Sequence, residues 1–574
     1  MKRRAQHGEF DPGRFRVRAR IAVAVLAGIA CVLLARAVQL QVLDREFLAQ
    51  EGDKRYLREA KMPAHRGAIV DRFGEPLAVS SPVDTVWVNP QVLAQTPEEI
   101  TRLAKALDRN PQWLAQRVTS NLDRQFLYVA RHMDPADAAK VKALGIPGVE
   151  LMREYKRYYP NGEVTGHVLG FTNLDEAGQE GLELAYNQSL AGIDGLKRVI
   201  KDAQGRIVGN VESIRAPRPG EDLETSIDLR IQYLAYRELK AAIKRHRARA
   251  GSVIVLDVQT GEVLAMVNQP SFNPNDRSQY EVARYRNRAV TDIIEPGSSI
   301  KPFILAAALR SGRYRPETVV DTSPGSFRVG VKNITDKHNL GAVNLRTILA
   351  KSSNVGMAKV ALSLPPQEIH ETLTGLGFGQ VTASGFPGES AGLLSSATHW
   401  REIGIATMAY GYGLSVTPLQ LAQAYATIGS FGLRRPVTFR HVDGPVPGER
   451  VLAQPVSRDM IGLLEAVVGP DGTGRKAEVP GYRVAGKTGT AWKAVNGGYS
   501  TDRYTAVFAG LVPATRPRLA AVVLIDEPTG SLYYGGDVAA PVFASVMSGA
   551  LRLMGVAPDE MNDVAPATVV QAAP

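Results

Sequence analysis

Apolar positions along the 574-residue chain fall into three patterns. The first is a single uncharged run, Ile21 to Ala35 (IAVAVLAGIACVLLA), followed by Arg36 and then AVQLQVL as far as Asp44. Fifteen residues fall short of the roughly 20 that cross a bilayer, but an arginine near the end of a span can snorkel. Residues 21–43 together therefore predict one transmembrane helix. The second pattern is short β-branched runs bounded by turn residues. Ser252 to Asp257 and Val263 to Val267 flank Gln259-Thr260-Gly261-Glu262, the signature of a hairpin, and Tyr504 to Leu511 and Leu519 to Ile525 are joined by a turn at Pro513 to Pro517. Ala68 to Val70 and Asp84 to Val88 are shorter strand signals. The third pattern is helical, in Pro97 to Leu107, Lys301 to Leu309, Leu345 to Leu362 and Pro418 to Ile428. Strands at both ends with helices between predict an α+β domain whose sheet is closed by segments far apart in sequence.

Length and punctuation divide the chain further. A single core rarely exceeds about 300 residues, so at least two domains are expected. Ala216-Pro217-Arg218-Pro219-Gly220 reads as a linker, because two prolines and a glycine disfavour helix and central strand. The Ala-, Pro- and Val-rich tail from about 556 reads as disordered. With 44% hydrophobic and 22% charged residues, the chain is neither polytopic nor mostly disordered.

The net charge is +11, a balance that could indicate a nucleic-acid partner. Seven basic residues against two acidic ones, however, crowd into the first 20 positions, directly before the apolar run. That placement reads as topology, keeping residues 1–20 cytoplasmic and exporting the body of the chain. Ala35-Arg36-Ala37 also has the look of a signal-peptidase site, so cleavage stands beside the uncleaved anchor. The only cysteine, Cys31, lies within the apolar run, which leaves the exported body without an internal disulfide and excludes a cysteine-rich zinc site; no metal is expected.

Three short motifs carry chemistry. In Glu295-Pro296-Gly297-Ser298-Ser299-Ile300-Lys301, a Pro-Gly break precedes an apolar helix, placing Ser298 at or beside its N-terminus and Lys301 one turn on along the same face. Free N–H groups and the helix dipole would lie where an oxyanion forms in acyl transfer. The lysine can take the proton only if it is neutral, which requires burial or a neighbouring cation. Ser352-Ser353-Asn354 opens the next apolar-periodic segment, and a helix-capping serine alone would explain it. Lys487-Thr488-Gly489-Thr490 interrupts a strand-like run with glycine, often a mark of close approach by a ligand or second backbone.

Serine-lysine, serine-asparagine and lysine-threonine-glycine, in that order, resemble the three elements of penicillin-binding proteins and class A β-lactamases. Upstream, His65-Arg66-Gly67-Ala68-Ile69-Val70-Asp71-Arg72-Phe73-Gly74 resembles the first motif of class B members. Arg157-Tyr158-Tyr159-Pro160 with Gly162, His167 and Gly170, and then Gly181-Leu182-Glu183, resemble that class's second and third non-catalytic motifs. The resemblance runs through Asn287-Arg288-Ala289, Ala409-Tyr410-Gly411-Tyr412-Gly413 and Tyr534-Gly535-Gly536, over roughly residues 20 to 555. It points to the division-type peptidoglycan D,D-transpeptidases, the penicillin-binding protein three group.

The resemblance implies a β-lactamase/transpeptidase-like catalytic domain over 222–555, a pedestal (dimerisation) domain over 50–220 and one N-terminal transmembrane helix. It implies Ser298 as nucleophile, Lys301 as general base, and Ser352, Asn354 and Lys487 as their catalytic partners. Thr488, Gly489, Thr490, Glu295, Tyr410, Tyr412 and Tyr534 would bind substrate or β-lactam, and the N–H groups of Ser298 and Thr490 would form an oxyanion hole. Arg66, Gly67, Asp71 and Gly74 would be structural, knitting the pedestal through an ion pair and a tight turn. No cofactor is implied. The implied partners are stem peptides of the lipid-linked precursor, β-lactams, the inner membrane and division proteins including a glycosyltransferase, with no nucleic acid.

Rival readings are an elongation-type or condition-specific paralogue, a scaffold or β-lactam receptor with little catalysis, and a β-lactamase. A class A β-lactamase needs a deacylating glutamate, usually with asparagine three residues on, and no glutamate between 354 and 487 has one; class C enzymes put tyrosine where Ser352 stands. One departure stands out: Trp492 occupies a place where division-type relatives often carry a basic residue.

Overall fold

The computed structural model describes residues 12–47, 57–201, 207–276, 278, 281–495 and 498–560. Residues 1–11 and 561–574, the ends of the expected cytoplasmic and C-terminal tails, lie outside the described residues. Helix α1 (Pro12–Val38) carries the first apolar run, and Arg16–Leu43 is the one described segment long and apolar enough to cross a membrane.

The chain forms two compact units that interleave in sequence. One comprises Met1–Ala64, Pro82–Glu154 and Ile193–Arg218; the other comprises His65–Ser81, Tyr155–Gly192 and Pro219–Pro574. In the first, helices Pro97–Ala106, Pro111–Thr119 and Pro135–Ala143 pack with strand Leu127–Met133 around Val86, Leu103, Leu114, Val118 and Val129. Each helix opens on proline at its first position, and Asn110 and Asp134 accept hydrogen bonds from the free N–H groups of the first turns.

The second unit is built on a five-stranded antiparallel sheet of β1 (Ala250–Asp257), β2 (Val263–Gln269), β3 (Ala485–Val495), β4 (Gly498–Val512) and β5 (Leu519–Asp526). Its order is β2-β1-β5-β4-β3, so the first and last parts of the unit meet where β1 pairs with β5, Val253 opposite Val523. Both faces are covered, which is why these strands read as unbroken apolar runs. Val253, Val255 and Val523 join one core with α2 (Leu229–His246) and α6 (Ala540–Leu553). Ile254, Leu256 and Val522 join the other with α3 (Lys301–Arg310) and α5 (Pro418–Gly429).

Two expectations change. Leu345 to Leu362 is two helices, Leu345–Ala350 and α4 (Asn354–Leu362), broken where Ser352 adopts φ +58°, a left-handed conformation costly for a residue with a Cβ. The C-terminal tail begins later than residue 556. Asp559 is buried and accepts from Arg483 N (2.8 Å) and from the Thr515 hydroxyl (2.7 Å).

Candidate active site

Ser298 lies in a 3₁₀ turn, Gly297–Ile300, immediately before α3. Glycine is required on both sides of this turn. Gly297 has φ +55°, and a Cβ on Gly411 would stand 2.0 Å from the Gly297 carbonyl oxygen. A Cβ on Gly489 would stand 2.8 Å from Pro296 O, so β3 lies directly against the turn. Ser299 faces inward, donating to Pro296 O at 2.7 Å, and leaves Ser298 as the half-exposed serine.

Lys301 is wholly buried. Its Nζ donates to Ser352 O (2.7 Å), Ser352 Oγ (3.1 Å), Asn354 Oδ1 (2.8 Å) and Ser353 O (3.2 Å). None of its described hydrogen bonds reaches Ser298, although the helical spacing alone allowed one; such contacts often tighten only when substrate is present. Burial, and then the charge of Lys487, push the amine well below the ordinary lysine range, against the opposing pull of Asp336.

The left-handed Ser352 turns its carbonyl and hydroxyl towards that amine, while Ser353 caps α4 by accepting from Gly356 N at 2.8 Å. The capping serine is thus the neighbour of the motif serine. Asp336 completes the cap, accepting from Ser353 Oγ (2.5 Å), Asn354 N (2.5 Å) and Val355 N (3.1 Å). It follows the small hairpin Ser326–Val329/Lys332–Thr335 and belongs to no sequence motif, so nothing in the chain pattern marked it.

Lys487 is also wholly buried, within β3, and burial pushes its amine down to about 7. It donates to Thr488 O (3.1 Å) and Oγ1 (3.2 Å). The Thr488 hydroxyl meets that of Thr473 at 2.9 Å, and Thr490 Oγ1 accepts from Gly535 N at 3.0 Å. Thr473, another residue without a motif, comes from the loop after the helix Gln454–Val468. A Cβ on Gly535 would stand 2.4 Å from Gly489 O, which explains a glycine beside Tyr534.

Two depressions meet at Ser298 and share Thr335, Asn354, Thr490 and Tyr534. One is aromatic, with Tyr410, Tyr412, Trp492 and Tyr499. The Trp492 N–H donates to Tyr412 OH at 3.3 Å, and the Tyr412 ring meets Tyr499 edge-on at 5.1 Å. Glu295 stands behind this wall, accepting from Gly413 N and Tyr499 OH, both at 2.9 Å. The other depression contains Ser352 and Thr488.

Arg66, Gly67, Asp71 and Gly74 line neither depression. Arg66 forms its ion pair with Glu183, not with Asp71, and Arg157 binds the other Glu183 oxygen, each pair reaching 2.6 Å. Asp71 instead closes the tight turn, accepting from Phe73 N (2.8 Å) and Glu75 N (2.9 Å), with Gly74 at φ +84°. A Cβ on Gly67 would stand 2.0 Å from Glu221 O.

Residues 251–548 match the family described as the penicillin-binding protein transpeptidase domain, and residues 61–225 match the penicillin-binding protein dimerisation domain. The chain is 42% identical to peptidoglycan D,D-transpeptidase FtsI of Escherichia coli strain K12, over 98% of this chain and 95% of that one. It is also 42% identical to the probable peptidoglycan D,D-transpeptidase PbpC of Pseudomonas aeruginosa, over 94% and 95%. Among solved structures, the TP domain of Burkholderia pseudomallei penicillin-binding protein 3 is 43% identical, covering 58% of this chain and 97% of that one at TM-score 0.54. A peptidoglycan synthetase from Bifidobacterium adolescentis shares the fold, with TM-score 0.70 at 24% identity over 89% and 98% of the two chains.

Proposed function

The chain belongs to the class B penicillin-binding proteins, and on that premise we propose that it is a peptidoglycan D,D-transpeptidase of the FtsI type, cross-linking stem peptides during septal wall synthesis. In this reading Ser298 Oγ attacks the carbonyl carbon between the two terminal D-alanines of a donor peptide. Its proton passes to neutral Lys301 Nζ, the new C–O bond forms, and the C–N bond breaks as D-alanine leaves with a proton. A second strand's amine then attacks the ester: the new C–N bond forms, the C–O bond to Ser298 breaks, and the amine's proton returns to Ser298 Oγ. Water in place of that amine would give carboxypeptidase activity.

One observation carries the assignment. The Lys301 amine is buried, held by Ser352 and Asn354 with no carboxylate among its described hydrogen-bond partners, and burial and Lys487 push it well below the ordinary lysine range. Lys487 adds repulsion that keeps it neutral. Thr488 and Thr490 bind the terminal carboxylate, and the N–H groups of Ser298 and Thr490 receive the oxyanion. Gly489 lets β3 approach, while Glu295, Tyr410, Tyr412 and Tyr534 shape the donor side. A β-lactam enters as a strained analogue of the same peptide and leaves the serine acylated.

Residues 1–20 are the cytoplasmic tail and 21–43 the inner-membrane anchor. The pedestal over 50–220 and the transpeptidase domain over 222–555 work on the periplasmic side with division partners, a glycosyltransferase among them. A fluorescent penicillin is expected to label the wild-type protein covalently and to leave Ser298→Ala unlabelled. Equal labelling of the two would remove Ser298 from the reaction.

A further inference from the structure

On the sheet face opposite α3, the start of α2 and the last turns of α6 enclose an open groove of about 620 Å³, a volume in the range of sites that bury a ligand. Gly549 sets the approach of the two helices. A Cβ there would stand 2.3 Å from Leu234 Cδ2, so α6 lies directly against α2. Leu229, Leu234 and Leu553 give the groove apolar walls, and Tyr233 and Leu553, 54% and 38% exposed, leave those walls open to solvent.

The charge of the rim is one-sided. Arg230, Arg237 and Arg552 line the groove, and no acidic residue does. Asp228 pairs with Arg230 at 2.7 Å and Glu238 with Arg237 at 2.8 Å. Arg552 has no carboxylate partner among the described residues, and its Nε donates to Ser548 O at 3.0 Å. The segment that complements this groove is apolar, acidic and free of cations.

The chain carries such a segment beside the groove. Residues 561–574 (MNDVAPATVVQAAP) contain Asp563 and no Lys, Arg or His, with Val569 and Val570 as adjacent branched apolar side chains. They follow Glu560, whose N–H donates to Gly481 O at 3.2 Å, seven positions after Leu553. Seven residues span at most about 25 Å, and an extended chain covers about 33 Å between Glu560 and Val570, so the two valines are within reach of the groove. We propose that residues 561–574 fold back over the end of α6, seating Val569 and Val570 against Tyr233 and Leu553 and pairing Asp563 with Arg552. Apolar area on both sides then leaves water, and the covalent tether holds the segment at a high effective concentration, so a modest contact suffices. No residue of the contact lines either depression at Ser298, so docking is independent of acyl transfer.

The test uses the full-length protein with a benzophenone-bearing amino acid at position 569, irradiated at low protein concentration and mapped by mass spectrometry. The cross-links are expected to fall on residues 229–237 and 549–553 of the same molecule. Because only a residue outside the folded core is replaced, this arm does not depend on a variant that has to refold. Arg552→Glu and Asp563→Lys are each expected to lower the yield about threefold at equal amounts of folded protein, judged by circular dichroism, and the two together to restore it, an effect that shrinks as salt rises. Cross-links to other parts of the chain, cross-links that join two copies, or none at all overturn the proposal. A yield that neither charge reversal lowers overturns the pairing of Asp563 with Arg552 and with it the docked arrangement.

Discussion

Two places in the second unit bury a pair of cations, and they resolve the cost in opposite ways. Arg66 and Arg157 share one buried carboxylate, Glu183, whose two oxygens each bind one guanidinium; Asn187 Oδ1 and Gly67 O take further donors. The described hydrogen bonds of Lys301 and Lys487 go only to carbonyl, hydroxyl and amide oxygens. A guanidinium cannot give up its proton, so its burial requires a counter-charge. An ammonium can, so a buried lysine with no carboxylate bonded to it is suited to the role of base proposed for Lys301. The same physical cost yields architecture in one place and chemistry in the other.

Exchanging the kind of cation is the sharpest way to break that comparison. Lys301→Arg installs a group that stays charged, and the rate of acylation by a fluorescent penicillin is expected to fall on the order of 10⁴-fold. A loss below about tenfold would show that proton acceptance is not what the buried amine supplies.

At the other pair, Glu183→Gln leaves two buried guanidiniums without a carboxylate. It is expected to cost roughly 3–5 kcal/mol, read as a lower denaturant midpoint. Replacing Arg66, Arg157 and Glu183 together with apolar residues of similar volume should cost much less; an equal or larger loss would mean that the network is needed for more than neutralisation.

Lys487→Met probes the coupling between the lysines. Without the repelling charge Lys301 holds its proton more tightly, so the rising limb of the acylation rate should move to more alkaline pH. Stability carries a second signature. Because Lys487 titrates near 7 when folded and at its ordinary 10.5 when unfolded, the unfolded chain binds the extra proton between those values. Wild-type stability should therefore rise with pH across that window, and the Lys487 share of the slope should vanish in the variant.

The smallest effect is expected from Thr473→Val, which removes the hydroxyl partner of Thr488. About 1 kcal/mol, or roughly fivefold, should appear in the concentration of penicillin giving half-maximal acylation rate. No change would place Thr473 outside carboxylate binding.

Legibility in the chain pattern divides along the same physical line. Strands buried on both faces announced themselves as β-branched runs, and Ser298, Lys301 and Lys487 lay in motifs whose spacing is local. Glycine at 489 was readable as close approach, though not what approached, while Gly297 read only as a break before a helix. The partner of Arg66 lay 117 positions away, and Asp336 and Thr473 entered the site only through tertiary contact. The break at Ser352 was masked because apolar periodicity continues across it. Only backbone geometry shows the turn that aims its carbonyl at Lys301.

Strand β3 lies at the end of the sheet, paired with β4 on one side only. Its outer edge near Gly489 and Thr490 therefore offers recognition through the main chain, which is the same whatever side chains the strand carries. Short of proline, no single substitution removes those peptide groups. What a substitution can alter is the spacing between the strand and the Ser298 turn, and the contacts of Gly297 and Gly489 leave little room for that.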